Sequence, residues 1–385
     1  MPRINCPKCN QPERILKSGI VRGKQRFYCK DCNYHFIVRS PKKQTREERR
    51  KQDGQTSLRD IAEVAGVSIT TVSRALNDHP DINESTRNHI KVLAQSMHYQ
   101  PNILAQSLVN RTTHTIGVII PNLTTTFFSS MLSGIQRVAA LSGYRIVICQ
   151  SDEDHPTEIM NTQALMNNMI DGLLICHTLH TSTSDHLRIH MGKRIPIVEF
   201  YRVSEDLPLP KILADDEAGA SAMTEHLIKK GCKRIALMLG PKKLSITQKR
   251  LAGYRQTLKK YKIGLDQKLI AHIDFSTEQV IKTTESWLKL SPKIDAIFSI
   301  SDKSAVQIIQ YLKGRKTNVP EKIKVAGFGN EYTGEIIEPQ LTTYDVQTKE
   351  IGEEACRMLL EQLISGTRET TSKLVPGKMI IRAST

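Results

Sequence analysis

The chain has 385 residues, of which 39% are hydrophobic and 24% charged, with a formal net charge of +16. That length excludes one ordinary small domain, and the composition is that of a soluble globular protein able to bury a sizeable core. The first 57 residues hold 15 Lys/Arg against 5 Asp/Glu, a net of +10 and more than half of the total. Such a local excess favours a polyanion such as DNA, or an anionic membrane surface, as its partner. No apolar run of about 18 residues suggests a membrane span, and the Met-Pro-Arg-Ile-Asn-Cys start has no apolar targeting core. The expectation is a cytoplasmic protein without a membrane partner.

Of eight cysteines, Cys149, Cys176, Cys232 and Cys356 fall in apolar segments and read as buried free thiols. Cys6-Pro-Lys-Cys9 and Cys29-Lys-Asp-Cys32 are different. Their C-x2-C-x19-C-x2-C spacing places four thiolates for one tetrahedral structural Zn²⁺ per chain. Residues 1–38 are too few for an adequate core, so metal binding would supply most of their folding free energy. Between the pairs, Lys17 to Tyr28 alternates basic with apolar or aromatic residues, which suits a small hairpin with a cationic face. This stretch resembles the zinc ribbons at the start of some insertion-element transposases, down to Gly-Lys-Gln-Arg-Phe-Tyr-Cys. The resemblance spans about forty residues and implies a nucleic-acid contact; zinc ribbons also bind proteins, and the sequence leaves that choice open. Residues 39–56 contain almost nothing apolar and read as a basic linker.

Ser57 is a plausible N-cap, after which Leu58, Ile61, Ala62 and Ala65 fall at helical spacing. Gly66 supplies a turn, Ser68 caps a second helix, and Val72, Ala75 and Leu76 face inward. Ile69, Thr70, Ser73 and Arg74 are left outward, where a helix-turn-helix presents side chains to the major groove. Arg74 suits a guanine edge and Ile69 a thymine methyl. Leu58-Arg-Asp-Ile-Ala-Glu-Val-Ala-Gly-Val-Ser-Ile-Thr-Thr-Val-Ser-Arg-Ala-Leu-Asn77, then Thr86-Arg87 and Tyr99-Gln-Pro-Asn102, resemble the DNA-binding head of the lactose/galactose-repressor family. The resemblance runs from residue 57 to the C-terminus. It implies a head over 57–101 in which Ser57, Ile69, Thr70, Ser73, Arg74 and Asn77 meet DNA. It also implies a hinge helix within 102–112, where Asn102, Ala105 and Leu108 enter the minor groove of operator DNA as part of a homodimer. Leu108 matches the residue that wedges into the central base step.

From Thr115 the chain alternates apolar strands with helical stretches: Thr115–Ile120, a helix from Phe128 to Ser142, Tyr144–Gln150, Asp171–Cys176 and Ile195–Phe200. After a Pro/Leu-rich linker over 203–212 the rhythm restarts at Arg234–Leu239, Ala296–Ile300 and Lys324–Phe328. Such alternation predicts parallel, doubly wound sheets in two lobes in series, with a ligand at the carboxyl ends of the strands. The whole is therefore read as multidomain: a small zinc ribbon, an all-α helix-turn-helix head with a hinge helix, and an α/β two-lobed body over 113–385. The family resemblance implies a periplasmic-binding-protein-like body that senses a small sugar-like effector and dimerises. It is carried by Gly117-Val-Ile-Ile-Pro121, Phe127-Phe128, Asp171-Gly-Leu-Leu174, Arg250-Leu-Ala-Gly253, Ser301-Asp302 and Pro339-Gln-Leu-Thr-Thr343. Residue by residue it implies effector contacts from Phe127, Phe128, Arg202, Arg250, Ser301 and Asp302. Core packing of the two phenylalanines and helix capping by Asp302 are the structural alternatives.

Two departures bear on the effector. Where the family often has Asp, this chain has Gly329-Asn330, and the usual Asp-Arg pair is here Tyr201-Arg202. With two carboxylates lost and Arg202 and Arg250 kept, the expected effector is anionic. An enzyme is not expected: no H-E-x-x-H, G-x-S-x-G or P-loop occurs. A secreted sugar receptor would not carry the head, and a transposase would need a catalytic carboxylate triad on another fold.

Overall fold

The computed structural model describes residues 5–9, 14–21, 24–37, 56–100, 112–168, 170–192, 195–367 and 370–385. The chain divides into two compact units, residues 1–102 and 103–385.

In the first unit, β1 (Ile15–Val21), β2 (Lys24–Cys29) and β3 (Tyr34–Ile37) form one antiparallel sheet. The expected hairpin thus gains a third strand, which sets Phe36 opposite Phe27. Their rings lie 5.9 Å apart, and Cys6, Cys29 and Phe36 make the small buried centre. Residues 58–96 hold α1 (Leu58–Ala65), α2 (Ile69–Leu76) and α3 (Glu84–Ser96). Ser57 and Asp60 cap α1 reciprocally: the Ser57 hydroxyl accepts from Asp60 N, and Ser57 N donates to Asp60 Oδ2 at 2.7 Å. α1 stops at Gly66, whose φ of 65° is left-handed and costs glycine nothing. Ser68 then caps α2 by accepting from Thr71 N at 3.0 Å. Ile61, Val72, Ala75 and Ile90 are fully buried where the three helices meet.

The second unit has two lobes. Lobe one is a parallel sheet in the order β14-β8-β7-β6-β4-β5, formed by β4 (Thr115–Ile120), β5 (Arg145–Gln150), β6 (Gly172–Ile175), β7 (Ile197–Phe200), β8 (Lys211–Ala214) and β14 (Ser372–Val375). Helices α4 (Thr126–Leu141), α5 (His155–Asn167), α6 (Asp185–Arg188) and α12 (Thr348–Ser365) cover it. Lobe two orders β9 (Ile235–Leu239), β10 (Ile270–His272), β11 (Ala296–Ser299), β12 (Lys324–Phe328), β13 (Thr342–Asp345) and β15 (Lys378–Ile380) as β10-β9-β11-β12-β13-β15. Only its last pair, β13 with β15, is antiparallel. Its helices are α7 (Asp216–Lys229), α8 (Ser245–Lys260), α9 (Thr277–Leu288), α10 (Asp302–Gly314) and the short α11 (Thr333–Ile336). β6, β7, β9 and β11 are buried at every position, as parallel strands covered on both faces must be.

The lobes are not simply in series. The segment expected to be a linker ends in β8, the fifth strand of lobe one, and α12 and β14 return to that lobe from the far end of the chain. Backbone therefore passes between the lobes three times: from β8 to α7, from β13 to α12 and from β14 to β15. α12 seats on α4 through two glycines: a β-carbon on Gly352 would collide with the Met131 carbonyl, and one on Gly134 with that of Lys349.

Candidate functional site

The outward face of α2 is as expected. Val72 and Ala75 are fully buried, while Ile69 is 45% exposed and Thr70, Arg74 and Asn77 also face solvent. Ser73 is half-buried, and its carbonyl accepts from Asn77 Nδ2 at 2.9 Å. The Arg74 guanidinium stands 3.7 Å from the exposed Asp81 carboxylate, a surface pair worth little that leaves the side chain available. Ser57 uses its hydroxyl in the cap of α1. Two features escaped the sequence reading. α3 completes the head, and Arg87 pins the loop before it by donating to the His79 and Ile82 carbonyls at 3.1 and 2.9 Å. Asn102, Ala105 and Leu108 lie outside the described residues.

The four candidate metal ligands converge. Cys6 Sγ is 3.4 Å from Cys32 Sγ, Cys9 Sγ is 3.6 Å from Cys29 Sγ, and all four sulfurs lie within 4.8 Å of one another. Four thiolates on one Zn²⁺ at about 2.3 Å stand roughly 3.8 Å apart, so the donor set fits the ion.

In the body, both sheets run in the sense 2-1-3-4-5 through their parallel strands, which opens a crevice at the carboxyl ends where strand order reverses. In the first turn of α4 stands Phe127, half-buried, its ring 4.9 Å from Tyr201 and 5.4 Å from Phe128. Phe127 also faces lobe two: a β-carbon on Gly329 would sit 3.4 Å from its ring, and the φ of 136° at Gly329 suits only glycine. Replacing the family's Asp by Gly329 is thus compatible with close approach of an aromatic ring. Phe128 is 4% exposed and belongs to the core, with the Arg202 guanidinium 5.3 Å above its ring.

The two arginines on which the expectation of an anionic effector rests are both paired with carboxylates. Arg202 donates to both Glu153 oxygens, at 2.9 and 2.8 Å. Arg250, 2% exposed, donates to Asp216 Oδ1 through Nε at 2.8 Å and Nη2 at 2.7 Å, and to the Ile300 carbonyl at 2.7 Å. Its Nη2 also reaches the Tyr201 hydroxyl of lobe one at 3.2 Å, and its plane lies 3.8 Å over the Phe328 ring. Glu153 and Asp216 thus pair with the two guanidiniums, and neither is left as an uncompensated charge.

Capping is also corrected. Ser301, half-exposed, occupies the N-cap of α10, and Asp302 is the first helical residue, fully buried. The Asp302 carboxylate accepts from Thr343 Oγ1 at 2.7 Å and Glu331 N at 2.8 Å. Burial pushes its pKa up to about 6, and burial beside Asp302 pushes that of Glu331 up to about 7. The wall of lobe two therefore carries two carboxyls whose titration is shifted toward neutral pH.

Two described protein families match the chain. Residues 57–102 match "Bacterial regulatory proteins, lacI family", and residues 113–383 match "Periplasmic binding proteins and sugar binding domain of LacI family". The ribose operon repressor of Halalkalibacterium halodurans is 29% identical over 331 residues, 86% of this chain and 97% of that protein. The transcriptional repressor CytR of Escherichia coli K12 is 30% identical over 337 residues, 87% of this chain and 98% of its own. Among solved structures, the Lac repressor dimer bound to operator and the anti-inducer ONPF superimposes with a TM-score of 0.77 at 24% identity, covering 86% of this chain and 99% of that one. The regulator CelR in complex with cellobiose gives 0.65 at 24% identity, covering 86% and 100%. These two likenesses are of fold.

Proposed function

The chain belongs to the LacI family of bacterial transcriptional regulators, and from that premise we propose a homodimeric, cytoplasmic, non-catalytic repressor released or engaged by a neutral sugar-like effector. The observation that carries the DNA-binding part is the face of α2, where Ile69, Thr70 and Arg74 are exposed over a helix whose other side is fully buried. In this reading those three side chains read base edges, with Ser57, Ser73 and Asn77 beside them. The hinge residues Asn102, Ala105 and Leu108 enter the minor groove. Two-fold protein symmetry calls for a near-palindromic operator. Selection of binding sites from random DNA, followed by affinity measurements on Arg74→Ala, tests this. The variant should lose about 1–3 kcal/mol on the selected site and relax preference at one symmetric position. A uniform loss on all sequences would place Arg74 on phosphate and overturn the assignment.

The effector in this reading is a polyhydroxylated, uncharged molecule. Phe127, half-buried, offers an aromatic face, Ser301 a hydroxyl, and Arg202 and Arg250 are already matched to Glu153 and Asp216. No helix among the described residues is long and apolar enough to cross a membrane. The four cysteines are assigned one structural Zn²⁺, which when bound would supply cross-linking free energy to residues 5–37. Elemental analysis of the Cys6→Ser/Cys9→Ser chain should show one zinc fewer than wild type, with the body's unfolding transition unmoved. Equal zinc in the two proteins would refute the assignment. The exposed Leu16, Ile20 and Tyr34 on this small sheet leave both nucleic acid and protein open as its partner.

A further inference from the structure

Lobe one contains a polar cluster that neither DNA binding nor the crevice accounts for. α5 begins at His155, and Glu158 follows one turn later on the same face; α6 brings His186 against them. One ligand atom from each lies within 4.8 Å of the others. The His186 side chain is 3% exposed, and among the described residues neither of its ring nitrogens has a hydrogen-bond partner. Its Nε2 comes within 3.1 Å of Glu158 Oε1 without the alignment of a hydrogen bond. Nε2 of His155 is also buried and unpartnered, while its Nδ1 is 3.3 Å from Ser182 Oγ. Among the described residues His186 Nδ1 and His155 Nε2 thus face no partner at all, and buried imidazole nitrogens left bare are costly unless something binds them.

We propose that His155, Glu158 and His186 form a second metal site, for a divalent first-row transition ion such as Zn²⁺, separate from the four cysteines. Two imidazoles and one carboxylate are the ligand set of three-ligand zinc centres, with a fourth position left to water. His155 is only half-buried, so an ion can reach the site from solvent. An outer layer of hydrogen bonds holds the carboxylate in place. Glu158 Oε2 accepts from Thr178 N at 2.8 Å and Thr181 Oγ1 at 3.0 Å, and Oε1 lies 3.0 Å from His177 Nδ1. His177 is anchored in turn, its Nε2 2.6 Å from Glu199 Oε1, which also accepts from Ser204 N and Oγ. Such outer partners fix ligand orientation in metal sites. The first ligand is two residues from Glu153, which holds Arg202 on the crevice, so an ion here would tie α5 and α6 to the crevice wall.

The test is titration of the full-length Cys6→Ser/Cys9→Ser chain with Zn²⁺, followed by calorimetry and thermal unfolding, with and without His155→Ala. His155 is partly exposed, so its removal should leave the fold intact, which circular dichroism checks. The cysteine variant should bind one Zn²⁺ and unfold at a higher temperature with it. Adding His155→Ala should weaken binding at least 10-fold and abolish the shift, and His186→Asn should do the same. A Co²⁺-loaded sample should absorb as a nitrogen/oxygen site without thiolate charge transfer. No Zn²⁺ bound by the cysteine variant, or binding unchanged by His155→Ala, overturns the site.

Discussion

Replacing Arg250 by Met is expected to lower the body's stability by about 3–5 kcal/mol, because it strands the Asp216 carboxylate in a fully buried position. At roughly 2–4 °C per kcal/mol for a domain of this size, the thermal midpoint should fall by roughly 10 °C. The same change removes the Tyr201 hydrogen bond between the lobes and the packing over Phe328. A buried pair is often replaceable by apolar groups of similar volume, so Arg250→Met/Asp216→Leu should recover most of the loss. Differential scanning calorimetry on the single and double variants decides it. A single variant with an unchanged midpoint would mean that Arg250 is held for a ligand and contributes nothing to the fold.

Gly352→Ala should be as damaging, against the helical preference of the residues concerned. In an exposed helix the change stabilises by up to about 1 kcal/mol, since glycine pays the larger backbone entropy. Here the added methyl meets the Met131 carbonyl, which is backbone and cannot turn aside. α12 would have to move off α4, with an overpacking cost of about 3 kcal/mol. Gly134→Ala should behave alike from the other side of the contact, and Gly253, set against the Glu217 carbonyl in lobe two, marks the same device between α7 and α8. A raised midpoint in urea or thermal unfolding of Gly352→Ala would show the two helices are less tightly seated than the structure has them.

Features that depend on neighbours in sequence were legible, and those that depend on distant partners were not. Ser57, Gly66 and Ser68 mark the helix ends of the head through local capping chemistry, and the apolar spacing of Val72, Ala75 and Leu76 fixes which face is free. Strands β4, β5, β6, β7, β9, β11 and β12 announce themselves as apolar runs. β14 does not: Ser372-Lys-Leu-Val375 is an edge strand, exposed at three of its four residues, and resembles a loop in composition. α3 is hidden by its many polar residues, and only Ile90 and Ala94 reach full burial. The arginine partners could not be read at all, since Glu153 and Asp216 lie 49 and 34 residues from Arg202 and Arg250. For the same reason a count of lost carboxylates left out the two acids that face the guanidiniums. His155, Glu158 and His186 carry no motif, because the third ligand arrives on a separate short helix.

The return of the C-terminal segment to both lobes sets a timetable for the growing chain. By the time β8 has left the ribosome, lobe one has five of its six strands but lacks α12, so the face of α4 that α12 covers stays bare, as does the edge of β8 that β14 pairs with. Lobe two waits still longer: β15 pairs with β13, and Ser384 bridges Thr342 N and the Val325 carbonyl at 2.8 and 2.6 Å. Neither half can therefore close before residues 372–384 have been made. A nascent chain stalled between residues 346 and 371 would carry two incomplete sheets with open edges, which are surfaces that chaperones and proteases recognise. Stop codons in that stretch should accordingly yield degraded or aggregated product in place of a regulator with a shortened tail.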